Sequence, residues 1–127
     1  MSLCTSQCGE IVQYEQTKNI FVVRQDGQEL FQISFPDSII RKFYTTSLGY
    51  ILFFQARAAI TQEKGNICLV SFSGEILWWV EKRNESCYTT RFVDFRFEDN
   101  YIVAYGGSYD YWIDIHNGKI VKLEFVK

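Results

Sequence analysis

The sequence predicts an all-β domain assembled from repeats, on three observations. First, three segments share one local pattern. In each, an Asn or Asp (Asn19, Asn66, Asp110) stands eight residues before a turn glycine (Gly27, Gly74, Gly118), with an apolar strand between them and another after. The glycines are 47 and 44 residues apart, the length of one multi-stranded repeat unit. Second, aromatic residues make up 17% of the chain, a composition that favours strands and leaves material for an interface. Third, with 47% hydrophobic and 22% charged residues and one proline, the 127-residue chain has the makings of a folded core. Its apolar runs alternate in strand fashion, and no convincing helical period occurs.

Taken in order, the strands fall near Glu10–Glu15 and Ile20–Arg24, then Glu29–Phe35 across the Asp26-Gly27 turn. Ser38–Thr45 and Tyr50–Gln55 follow. Ala56–Asn66 is the one stretch where a helical turn or longer loop fits. Next come Ile67–Phe72 and, across Ser73-Gly74, Glu75–Glu81. The last group is Tyr88–Glu98, Tyr101–Tyr105, Tyr109–Ile115 and, across Asn117-Gly118, Lys119–Val126. Asp-Gly and Asn-Gly suit a type I′ hairpin because both central residues take positive φ; Ser-Gly is a weaker form of the same signal.

These roughly eleven antiparallel strands form one domain over residues 1–127, with repeat units at about 9–35, 38–81 and 88–126. The first unit shows three strands and the others four. In the middle unit Ile76, Trp78 and Val80 oppose Leu77 and Trp79, so both faces are apolar and both need cover. In the outer units one face is largely polar: Leu30, Gln32 and Ser34 oppose Phe31, Ile33 and Phe35, and Ile120, Lys122 and Glu124 oppose Val121, Leu123 and Phe125. The middle unit is therefore expected to be sandwiched, with the outer two as caps.

The stretches Gly74 to Trp78 and Gly106 to Val121 resemble the strands of quinoprotein-like (PQQ-type) β-propeller repeats, which carry a glycine-bounded strand, a short polar hairpin and an apolar strand with Trp. The resemblance implies blade-like units. Closed propellers need at least four blades, so the expected architecture is a partial, open propeller-like array, with a β-sandwich of the same strands as the alternative. The family's quinone site has no counterpart here, and no cofactor is expected.

Several functional classes find no support in the residues. Net charge is −2 with both signs mixed, so no basic stripe for nucleic acid appears; Arg91 and Arg96 fall on opposite faces of a strand. Residues 1–8 hold no apolar run of a leader, and Tyr50–Phe54 is too short to cross a bilayer, which makes cytoplasmic the expected location. Cys4, Cys8, Cys68 and Cys87 lack zinc spacing and are expected as free thiols; no metal site is expected. His116 sits in a turn with no signalled partner, and Asp94 and Asp114 read as solvent-facing carboxylates, so no enzyme is expected.

Binding of another protein remains. Trp and Tyr anchor interfaces, and the expected partner-binding residues are Tyr109, Tyr111 and Trp112, with Asp110, Glu98 and Asp99 as carboxylates facing a basic surface. The most concrete form is an intracellular immunity- or inhibitor-type protein that occludes a partner such as a toxin. Two alternatives stand beside it. One is a ligand or catalytic site completed on homodimerisation from His116, Asp110 and Asp114; the other is a scaffold subunit of a larger complex.

Overall fold

Short apolar runs closed by glycine turns leave each strand one direct way to satisfy its backbone, which is to pair with its sequence neighbour. The computed structural model describes residues 2–5, 10–15, 19–36, 38–55, 65–81, 92–106 and 108–126, with 2–5 and 10–15 as strand backbone alone. Among the described residues twelve strands form three four-stranded antiparallel sheets, none closed into a barrel, and no helix occurs. The first sheet holds β1 (Ser2–Thr5), β2 (Glu10–Glu15), β3 (Ile20–Gln25) and β4 (Gln28–Ser34). The second holds β5 (Ile40–Thr45), β6 (Tyr50–Phe54), β7 (Ile67–Val70) and β8 (Ile76–Trp79). The third holds β9 (Asp94–Glu98), β10 (Tyr101–Gly106), β11 (Tyr109–Asp114) and β12 (Ile120–Phe125). In all three the strands lie in chain order without a crossover.

The first sheet thus has four strands where the sequence pattern shows three. β1 reads Ser-Leu-Cys-Thr, four residues with a single large apolar side chain, too little for alternation to register, yet it pairs with β2 from Ser2↔Tyr14 to Thr5↔Ile11. β9 begins at Asp94; residues 88–91, expected in the same strand, lie outside the described residues, as do 56–64 of the expected loop.

The three glycine turns all need the left-handed region, by different loops. Asp26 (φ 52°) and Gly27 (φ 79°) form the expected two-residue turn between Gln25 and Gln28. Gly74 (φ 95°) closes a longer loop in which the Ser71 hydroxyl accepts the N–H groups of Ser73 and Glu75. Gly118 (φ 74°) does likewise with Asp114, which accepts the His116 N–H at 2.9 Å and, through its carbonyl, the Gly118 N–H at 2.8 Å. Asn117 does not take positive φ, so Asn117-Gly118 is not a type I′ pair. The Asp114 side-chain bond shapes a longer turn instead.

The sheets stack in chain order, and the second is covered on both faces. All five residues of β6 are buried. Ile51 and Phe53, with Ile67, Leu69, Trp78 and Val80, pack on Phe92, Phe95, Ile102, Ala104, Tyr111 and Ile113 of the third sheet and its approach. Tyr50, Leu52 and Phe54, with Cys68 and Val70, pack on Phe21, Val23 and Phe35 on the first-sheet side, with Phe31 and Ile33 alongside. Strand periodicity of two divides adjacent residues between the two cores: Trp78 joins one and Trp79 the other. Cys68 lies buried in the second cluster.

Candidate functional site

The fourth residue after each of the first two turn glycines makes a contact between consecutive sheets. A Cβ on Gly74 of the second sheet would lie 2.8 Å from Cγ of Phe31, four residues after Gly27 in the first. A Cβ on Gly118 of the third sheet would lie 2.5 Å from Cε3 of Trp78, four residues after Gly74 in the second. The third member of this series is Lys122. Its ammonium sits 4.5 Å over the Trp112 ring, on the face of the third sheet turned away from the stack. Where two sheets carry an aromatic that roofs the next glycine, the third carries a cation.

Register defines that open face. Arg96, Val103, Trp112 and Lys122 form one row across β9–β12, and Tyr105, Asp110 and Glu124 lie in the next, whose β9 member Asp94 turns at the sheet edge to Lys42 of β5. Arg96 bridges Glu98 at 3.5 Å and Asp110 at 3.6 Å; the Trp112 indole N–H donates to Glu98 Oε1 at 3.4 Å; Lys122 pairs with Glu124 at 3.5 Å. Val103 is fully buried although it points this way, flanked by Arg96 and Trp112. Tyr101 and Tyr105 stand exposed on the same face. The result is a lattice of ion pairs around a half-buried tryptophan, in which Arg96, Glu98, Lys122 and Glu124 are exposed and Asp110 is mostly covered, with the exposed pairs each weak by itself.

Of the six residues expected in the partner site, the structure brings Glu98, Asp110 and Trp112 together on this face. Tyr111 does not join them: it is 1% exposed and packs edge-on to Phe92 at 5.4 Å, in the core facing the second sheet. Tyr109, half-buried, lies on that inner side too, 5.5 Å from Phe125. The reason is strand alternation, since residues 109 and 111 share one face and 110 and 112 the other. Asp99 sits in the β9–β10 turn at φ 55° and borders a cleft of about 470 Å³ between the second and third sheets, with Tyr44, Leu48, Asn100 and His116. Arg96, Lys122, Tyr101 and Tyr105 were missed; a reading by faces rather than by sequence windows would have collected them.

Asp114 and His116 meet at 3.1 Å, whereas Asp110, grouped with them in the dimer-site alternative, is bound to Arg96. The His116 backbone N–H, then its imidazole, hold the Asp114 carboxyl below the usual carboxylate range. Among the described residues no group of three or more metal-ligating side chains occurs.

Asp94 is not simply solvent-facing, because its carboxylate meets Lys42 of β5 at 2.6 Å and ties the second sheet to the third. Lys42 also lies 5.5 Å from the ring centres of Tyr44, Phe53 and Phe95. The Lys42 hydrogen bond, helped by the Phe95 N–H, outweighs burial and holds the Asp94 carboxyl below its ordinary value. For Lys42 burial is the largest single influence and lowers the value, but hydrogen bonds to Asp94 and Tyr44 together outweigh it and raise it. A depressed carboxyl contributes stability above its unfolded value of about 4, lost as pH falls through the folded value; a raised ammonium contributes below about 10.4, lost as pH rises past it. With both groups over a third exposed or nearly so, Asp94→Asn should cost at most about 1 kcal/mol, about 3 °C in Tm, at pH 7. Melting curves of both chains should converge as pH falls well below 4; a constant difference at every pH would show that the ion pair contributes nothing.

No family model matches this sequence, and neither does any curated protein. Among solved structures, the computationally designed Ika8 protein is similar at a TM-score of 0.66 and 13% identity. The match covers 96% of this chain and 35% of the designed one, so the chain spans about a third of that protein's length. At this identity the likeness is one of fold alone.

Proposed function

We propose that the chain is a non-catalytic protein-binding module: an open, propeller-like stack of three four-stranded blades whose partner docks on the outer face of the third sheet. The observation that carries this reading is the content of that face, where Trp112, Tyr101 and Tyr105 stand among Arg96, Glu98, Asp110, Lys122 and Glu124. Aromatic anchors within a charged surround are the usual composition of a protein-recognition surface. The open form is supported by the same side chains. A fourth sheet stacked as the third stacks on the second would bury Arg96, Asp110 and Lys122, at a desolvation cost that their mutual attraction does not clearly repay. The blade-like form is supported by three four-stranded meanders stacked in chain order.

In its narrower version the module is an immunity- or inhibitor-type protein that occludes a partner such as a toxin. Glu98, Asp110 and Glu124 would then exchange Arg96 and Lys122 for the partner's cations, which steers encounter and fixes register. The test is affinity capture from the native host with three chains in parallel: wild type, Trp112→Ala and Arg96→Glu, each first shown to melt cooperatively. The expected result is one stoichiometric partner on the wild type, reduced about tenfold or more on both variants, as for a hot-spot residue. Equal capture by all three chains, or no stoichiometric partner on any, would overturn the reading.

A further inference from the structure

We infer that β12 is a self-association edge, through which two copies of this chain join their third sheets into one eight-stranded antiparallel sheet about a two-fold axis at Leu123. The inference shares Lys122 and Glu124 with the face proposed above but does not rest on a partner docking there. Among the described residues no strand pairs with the second edge of β12. Val126 donates its N–H to the Ser108 carbonyl at 2.8 Å, toward β11, so by strand alternation the N–H and C=O groups of Leu123 and Phe125 point to the open edge. The other end of the edge is already taken: Ile120 N–H donates to Glu81 Oε1 at 2.7 Å, and Glu81 N–H donates to the Gly118 carbonyl. Val121 is the extra residue of a bulge between the pairs Trp112↔Lys122 and Ile113↔Ile120, so the regular free run is 122–126. Along it Leu123, Phe125 and Val126 are each about half exposed, with Phe125 at 64%, and Val121 in the bulge is 54% exposed. A strand edge so apolar and so open is a template for another strand.

The occupant and the register follow from charge. In an antiparallel pair, directly opposed residues share a face, so self-pairing places its axis on a residue. An axis at Leu123 sets Lys122 of each copy opposite Glu124 of the other, twice over, and leaves the Val121 bulge outside the regular pairing. An axis at Lys122 or at Glu124 would oppose like charges at the centre, which is destabilising. An axis at Val121 runs the partner into the end closed by Glu81. Leu123 is thus the position that matches the charges, and its groups point outward as a hydrogen-bonded central pair needs. Lys122 and Glu124 are exposed side by side and bridge each other at 3.5 Å, so each can turn to the second copy without leaving a buried site. Because the axis is perpendicular to the sheet, both Trp112 faces would lie on one side of the dimer.

The test is sedimentation equilibrium of the full chain from about 1 µM to about 500 µM, a range that suits a small edge-to-edge interface. Three chains are compared: wild type, Lys122→Glu, and Lys122→Glu with Glu124→Lys. The wild type should self-associate to a dimer, Lys122→Glu should weaken this about tenfold or more by opposing like charges twice, and the double exchange should restore it. In parallel, Leu123→Cys should give a covalent dimer on mild oxidation well above the wild-type background, since about 5.5 Å between Cα atoms of a hydrogen-bonded pair is within disulfide reach. A wild type that stays monomeric throughout, a dimer indifferent to Lys122→Glu, or a double exchange that restores nothing would each overturn the inference.

Discussion

Replacing Asn66 by Ala should remove about 3–4 kcal/mol of stability and lower Tm by about 10–15 °C, the largest single-residue effect expected in this chain. Asn66 is fully buried and is the one polar residue in the described core. Its amide donates to the carbonyls of Phe54 and Phe92 at 2.9 Å each, and its carbonyl accepts the Phe92 N–H at 2.8 Å. Two carbonyls and one N–H fix which way the amide points. The side chain thus fastens the end of β6 to the segment that leads into the third sheet, and Ala would leave several buried polar groups without a partner. Asn66→Asp separates this account from a simple loss of volume. A carboxylate would face two carbonyl oxygens in the core, so its pKa should be pushed up, and the deficit against wild type should shrink on going from pH 7 to about pH 5. Denaturant titration at the two pH values is the measurement; an Asn66→Ala loss below about 1 kcal/mol would show that the clasp is dispensable.

The same residue shows what the sequence made legible. Its spacing of eight to the turn glycine was visible in all three repeats, but the job done there differs with the neighbours. Asn19 reaches the Pro36 carbonyl, 3.1 Å away, on the approach to the second sheet; Asn66 clasps the approach to the third; Asp110, with no sheet beyond it among the described residues, is a carboxylate paired with Arg96. Local pattern pointed to the repeat and to the two-sided middle sheet through Trp78 and Val80 on one face and Trp79 on the other, whereas Ile76 and Leu77, expected to need cover in the same way, are exposed. It could not show β1, whose four residues pair through backbone rather than through apolar side chains. Nor could it assemble the open face of the third sheet. That face takes one row from four strands, so Arg96 and Lys122 stand 26 positions apart in the chain yet in one line across the sheet. Tyr111 failed as a surface residue for the converse reason: it adjoins Asp110 and Trp112 in sequence and points the opposite way.

The three turn glycines should respond unequally to alanine, although each has positive φ. Gly27→Ala meets nothing within 4 Å and should cost only the backbone strain of a left-handed non-glycine residue, about 1 kcal/mol. Gly118→Ala carries the same strain and also drives a methyl against the Trp78 indole at 2.5 Å. That ring is buried and its N–H is held by the Ile115 carbonyl at 2.9 Å, so it retreats only by breaking a hydrogen bond and shifting the core between the second and third sheets. Overpacking of this kind adds about 1–3 kcal/mol, for a total of about 3 kcal/mol and about 10 °C in Tm. Gly74→Ala should fall between, because Phe31, its neighbour at 2.8 Å, is only half-buried and has room to give. The order of loss, Gly27 least and Gly118 most, is read directly from thermal or denaturant unfolding of the three variants. It follows from position in the stack: among the described residues no aromatic roofs the turn of the first sheet, whereas Phe31 roofs that of the second and Trp78 that of the third. Three equal losses would mean that the glycines serve their turns alone and that sheet-to-sheet contact has no share in why they recur.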